Sequence, residues 1–103
     1  MNSKARICGV GDVPPGSIAS FSVGGRQIAV ANVGGEFFAI DDLCTHKQCS
    51  LGSEGALDGD TVICGCHGAM YDVRTGMVKA PPAPRDVSTY VLKKEGNDIF
   101  IEL

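Results

Sequence analysis

The stretch "SIASFSVGGRQIAVANVGGEFFAID", residues 17–41, decides the fold class. Two Gly-Gly pairs, 24–25 and 34–35, cut it into three short runs rich in Ile, Val and Phe. Paired glycines accept the positive φ angles that two-residue hairpin turns require, so the runs read as a meander of three antiparallel strands.

The same signs continue along the chain. "DTVIC" (60–64) reads as a strand, and "MYDV" (70–73) and "MVKA" (77–80) flank a turn at Arg74-Thr75-Gly76. "STYVLKK" (88–94) and "DIFIEL" (98–103) bracket another at Glu95-Gly96-Asn97, and Ile99, Ile101 and Leu103 recur at period two, on one face. No stretch of helical length carries a 3.6-residue period, and 14 glycines penalise helices throughout. The chain reads as all-β. Two regions do not read as strands: a long connection at 41–59, and "APPAPRD" at 80–86, where three prolines fix φ and remove ladder donors, making a stiff loop.

A chain of 103 residues without internal repeats or a linker is one domain, spanning residues 1–103. With 44% hydrophobic and 20% charged residues it has the composition of a globular protein, not of a disordered one. No apolar run approaches the roughly 18 residues of a membrane helix, and the start lacks an apolar signal core. The expectation is a soluble, cytoplasmic protein without a membrane partner. The formal charge of −3 comes with no basic block, which argues against nucleic acid as a partner.

The chemistry is concentrated in "CTHKQC" (44–49) and "CGCHG" (64–68), which hold four of five cysteines and both histidines. Cys44 and His46 form Cys-x-His, 17 residues intervene, and Cys64 and His67 form Cys-x-x-His. Each segment thus supplies one thiolate and one imidazole. Two Cys and two His could make a tetrahedral structural zinc site, although zinc fingers usually pair like with like. A core role with no metal leaves both histidines beside cysteines unexplained.

Cys44-Thr45-His46 with Cys64-Gly65-Cys66-His67-Gly68 resembles the binding motif of Rieske iron-sulfur proteins, and the similarity extends over nearly the whole chain. The resemblance implies the Rieske fold, an antiparallel β-sandwich or barrel with a small two-loop cluster-binding subdomain, about residues 41–80, inserted in a basal β domain. It implies one [2Fe-2S] cluster, with Cys44 and Cys64 on one iron and His46 and His67 on the other. In the respiratory branch of the family, cysteines at the positions of Cys49 and Cys66 form a disulfide between the loops; the competing reading is two free thiols, the usual cytosolic state. That branch also has a serine where Ala69 stands and a proline where Gly65 stands, while Tyr71 remains. The resemblance makes the Tyr71 hydroxyl a donor to a ligand sulfur; it could instead be a packed aromatic. Gly65 and Gly68, lacking Cβ, would let backbone N–H groups approach the sulfides. Pro81 and Pro82 would form a wall over the cluster, and Cys8 reads as a buried structural thiol.

Two thiolates bring an oxidised cluster to zero charge where four would give −2, so an electron is added more easily; Rieske centres as a class lie at about −150 to +300 mV against about −400 mV for plant-type ferredoxins. Loss of the serine hydroxyl removes a hydrogen bond that stabilises the reduced state, which places the expected midpoint in the lower or middle part of that range. With both histidines committed, none remains for a mononuclear oxygenase iron, and no phosphate-cradling glycine motif is present. The expected function is therefore non-enzymatic: a soluble Rieske-type ferredoxin, monomeric, passing single electrons from a reductase to a terminal oxygenase through transient contacts. The alternative is a Rieske small subunit of a larger complex of nitrite-reductase or arsenite-oxidase type. Lys47, Gln48, Leu51 and Arg85 are candidates for the docking rim.

Overall fold

The computed structural model describes residues 4–43, 49–65, 68–80 and 86–102. Among them ten strands run in the order β1 (Lys4–Gly9), β2 (Ile18–Val23), β3 (Arg26–Val33), β4 (Glu36–Asp41), β5 (Ala56–Asp58), β6 (Thr61–Ile63), β7 (Met70–Asp72), β8 (Val78–Ala80), β9 (Thr89–Glu95) and β10 (Asp98–Glu102). The only α-helix among the described residues is the single turn α1, Leu51–Glu54.

The meander stands where the glycine pairs put it. β2 pairs with β3 from Ile18↔Ala31 to Val23↔Arg26, and β3 with β4 from Ile28↔Asp41 to Val33↔Glu36, both antiparallel. All four turn glycines hold positive φ, between 57° and 100°. β9 joins β4 through Ala39↔Tyr90 and Ile40↔Thr89, and β10 and β1 follow, giving a six-stranded sheet of order β1-β10-β9-β4-β3-β2. Its two end strands come into contact, so the sheet is a nearly closed barrel.

β3 divides two hydrophobic clusters, which is why Ile28 to Asn32 are buried without a break. Ile28 and Val30 enter one cluster with Ile7, Cys8, Val13, Ala39, Ile99 and Ile101. Ala29 and Ala31 point the other way, into a cluster with Ile40, Leu51, Val62, Cys64, Ala69, Tyr71, Val73 and Val87. A strand apolar on both faces lies between two packed layers.

The second layer is the sheet β5-β6-β7-β8, entirely antiparallel, inserted in the chain between the spatial neighbours β4 and β9. Here the structure corrects the sequence reading. The connection at 41–59 is not irregular throughout: it carries α1 and β5, and β5 pairs Ala56↔Ile63 and Asp58↔Thr61. A one-turn helix is too short to show a period, and Ala56-Leu57-Asp58 offers a single large apolar side chain. Ile99 and Ile101 do share the barrel core, at 1% and 0% exposure, while Leu103 lies outside the described residues.

Candidate metal centre

The first Cys/His segment leaves the barrel where β4 ends. Leu43 and Ser50 form an isolated antiparallel bridge that closes the segment between them at its base. Of the expected site residues, Cys44, His46, Cys66, His67, Pro81 and Pro82 lie outside the described residues, as do the rim candidates Lys47, Gln48 and Arg85. Cys49, Cys64, Gly65, Gly68 and Tyr71 are described. Cys49 is disulfide-bonded and packs against the hydrophobic cluster that contains Cys64.

Directly before this segment stands a residue that no sequence motif marks. Asp42 is 1% exposed, and its carboxylate accepts hydrogen bonds from Ser50 Oγ at 2.7 Å, Gly52 N–H at 2.8 Å and Ser20 Oγ at 3.0 Å. Its own N–H donates to the Gln27 carbonyl and its carbonyl accepts the Leu51 N–H. One side chain and one peptide unit thus tie the end of β4 to β2, β3 and α1. The available signal was a charged residue directly after an apolar strand and two positions before a candidate ligand. The same contacts correct the reading of Leu51 as a rim residue: it is fully buried in the cluster beneath the loop. Leu43, 42% exposed, is the apolar side chain that faces outward there.

The second segment follows the end of β6 and is closed at its base by backbone hydrogen bonds. The Cys64 N–H donates to the Ala69 carbonyl at 2.7 Å, and the Gly68 N–H donates to the Cys64 carbonyl at 3.0 Å. Gly68 closes the turn in the left-handed region, φ 76°. Gly65 is needed for a different reason: a Cβ there would stand 1.8 Å from the Glu54 carbonyl oxygen, so only glycine lets the turn rest on the end of α1. The base of the second loop is thus in backbone contact with α1, which follows the first. Cys64 is 2% exposed, and Ala69 and Tyr71 are fully buried below it. Tyr71 stands at the loop base, opposite Val62 in the ladder.

The proline segment is fastened at its far end by acidic residues. The Asp86 carboxylate accepts the Val78 N–H at 2.7 Å, and the Val87 N–H donates to the Gly76 carbonyl. Asp41, next to Asp42 in the chain, takes the Ser88 N–H at 3.1 Å and the Tyr90 hydroxyl at 2.6 Å. Burial and this bond to a carboxylate push the Tyr90 hydroxyl pKa up. Successive carboxylates at the end of one strand therefore hold two different loops. On the outer face of the small sheet, the nearby Lys79 ammonium holds the Asp60 carboxyl below its usual range.

Among the described residues the site contributes one soft donor, the Cys64 thiol. Cys64 offers a thiol at the head of a backbone-closed turn, and a second cysteine-bearing loop is anchored over the same hydrophobic cluster. Thiolate with imidazole from paired loops is the donor chemistry of an iron-sulfur centre. The family model for the Rieske [2Fe-2S] domain matches residues 3–91. The chain belongs to the Rieske family. Its cofactor is one [2Fe-2S] cluster per chain.

The ferredoxin components that this Rieske protein matches are of similar length. It is 47% identical over 98 residues to the ferredoxin component of biphenyl 2,3-dioxygenase from Rhodococcus jostii strain RHA1, covering 95% of this chain and 91% of that one. It superimposes on the Sphingomonas yanoikuyae B1 ferredoxin with a TM-score of 0.91 and 34% identity, covering 98% of this chain and 99% of that one. A ferredoxin-and-oxygenase complex of carbazole 1,9a-dioxygenase gives a match of TM-score 0.86 at 34% identity, covering 95% and 91% of the two chains. The all-β expectation and the Rieske fold hold. The relatives are electron-transfer components of dioxygenase systems, not the catalytic component, and this chain is likewise an electron-transfer protein. Among the described residues no helix is long and apolar enough to cross a membrane.

Proposed function

We propose that this Rieske ferredoxin accepts single electrons from a reductase and delivers them to the terminal oxygenase of a dioxygenase system acting on an aromatic compound. In this reading Cys44 and Cys64 bind one iron and His46 and His67 the other, within a cluster-binding subdomain of about residues 41–80. Cys49 is linked to Cys66, and the loops between them are tethered. Pro81 and Pro82 wall the remaining side. The observation that carries the reading is the shared footing of the two motif loops: one closes at Leu43–Ser50, the other at Cys64–Ala69, and both stand on one hydrophobic cluster.

The cluster supplies a one-electron couple when bound; the protein supplies its position and surroundings. The buried bases of both loops, with Leu51, Ala69 and Tyr71 packed below them, keep water from the barrel side. Exchange then occurs at the outer end, where the histidine edges stand in this reading, through a small, short-lived interface with each partner. The protein acts as a cytoplasmic monomer. Two titratable imidazoles make the midpoint fall as pH rises into the alkaline range.

The test is a redox titration of anaerobically purified protein, followed by electron paramagnetic resonance at several pH values, with iron and sulfide analysis. A rhombic Rieske signal with a midpoint near or below 0 mV, in the class range of about −150 to +300 mV, and electron delivery to an aromatic-ring dioxygenase support the reading. Zinc without inorganic sulfide, or a midpoint near the top of that range, overturns it.

A further inference from the structure

We propose that the buried Asp42 carboxylate tunes the cluster, holding its midpoint potential down while fastening the loop that carries Cys44 and His46. The inference rests on the reading of those two residues as ligands. Asp42 is two residues before Cys44, so their Cα atoms are at most about 7.6 Å apart, whatever path the chain takes.

The environment makes the charge felt. At 1% exposure the carboxylate is shielded from solvent. Its three side-chain hydrogen bonds come from neutral donors, Ser20, Ser50 and Gly52. Among the described residues no Lys or Arg forms an ion pair with it. A buried anion held by dipoles instead of a counter-charge projects most of its field onto its surroundings, because little high-dielectric water intervenes. An added electron on the nearby cluster is repelled by that field, so the oxidised state is favoured.

The placement is also rigid. A Cβ on Gly52 would lie 2.4 Å from the Ser20 backbone nitrogen, so α1 rests directly on β2. Ser20, which reaches Asp42 from β2, belongs to neither motif loop. It therefore modulates the carboxylate without touching a ligand segment.

The decisive experiment compares midpoints and paramagnetic spectra of the holoprotein, Asp42→Asn and Ser20→Ala. Asp42→Asn removes the charge and keeps the shape; its midpoint rises by the equivalent of about a tenfold change in the reduction equilibrium, 59 mV for one electron. Ser20→Ala keeps the charge but removes one donor that delocalises it, so its midpoint falls, by less. Opposite signs with unchanged g-values establish electrostatic tuning, since simple loosening of the loop would move both variants in one direction. Shifts of the same sign, or none, overturn the proposal. If Asp42→Asn does not fold, Ser20→Ala decides alone: a lower midpoint with unchanged g-values and unchanged melting temperature supports the proposal, and any other result overturns it. Absence of a Rieske signal from the unmodified holoprotein would sink the ligand reading itself, and the tuning role with it.

Discussion

The two faces of β3 are built on different physics. On one, Ile28 and Val30 meet Ile7, Val13, Ile99 and Ile101, branched side chains that fill a barrel by volume. On the other, Ala29 and Ala31 meet Cys64, Ala69 and Tyr71, and the loops above are secured by Asp42, Asp41, Asp86 and the close backbone approach at Gly65. Small side chains bring the second sheet near; polar bonds then set where its loops stand. The barrel is stable because its apolar surface is buried, and the site is positioned because its backbone groups are satisfied.

The contrast breaks down if variants on the two faces behave alike. The largest effect is expected in the barrel: Ile28→Ala should cost about 2–5 kcal/mol in chemical denaturation while leaving the midpoint potential unchanged. Alkaline pH should weaken the same region through Cys8, whose thiol is pushed up to about 11, first by burial. The folded pKa lies above the unfolded one, so this contribution is complete below about pH 9 and is lost as pH rises toward 11, on the order of 3 kcal/mol. Denaturation curves from pH 8 to about 11 check this, and Cys8→Ala should flatten the decline.

On the site side, Gly65→Ala forces the second loop away from Glu54 and should cost about 1–3 kcal/mol. Iron and sulfide content of the purified variant should drop by a larger fraction than its stability, unlike Ile28→Ala. Tyr90→Phe removes the hydroxyl bond to Asp41 and should cost about 0.5–1.5 kcal/mol in thermal unfolding. The smallest effect belongs to the surface: Lys79→Ala should move the Asp60 titration, followed by NMR, back toward the ordinary carboxylate range with little change in melting temperature.

Much of the barrel was legible beforehand because its signals are local. The glycine pairs at 24–25 and 34–35 terminate β2, β3 and β4 where the structure terminates them. β6, β7, β8, β9 and β10 likewise fall on runs bounded by turn residues. The two Cys/His motifs carry the resemblance to the Rieske family within a few residues each. Less was visible between residues 41 and 59, where α1 is a single turn and β5 carries only one large apolar side chain, Leu57. Leu51 was misplaced on the surface because a lone apolar residue in a polar loop has no pattern to assign its side; the bond from its N–H to the Asp42 carbonyl turns it inward.

The sequence by itself determined most of the strands, β1 and β5 excepted, and carried the motif resemblance that implies the family and its cofactor, since turn chemistry and metal-donor spacing act over a few neighbouring residues. Tertiary structure alone decided that β3 separates two cores, that Gly65 is required by the Glu54 carbonyl, and that adjacent aspartates hold different loops. Those outcomes depend on groups far apart in the chain reaching a few ångströms of one another. Packing and the satisfaction of buried polar groups bring them together, and neither leaves a local pattern in the sequence.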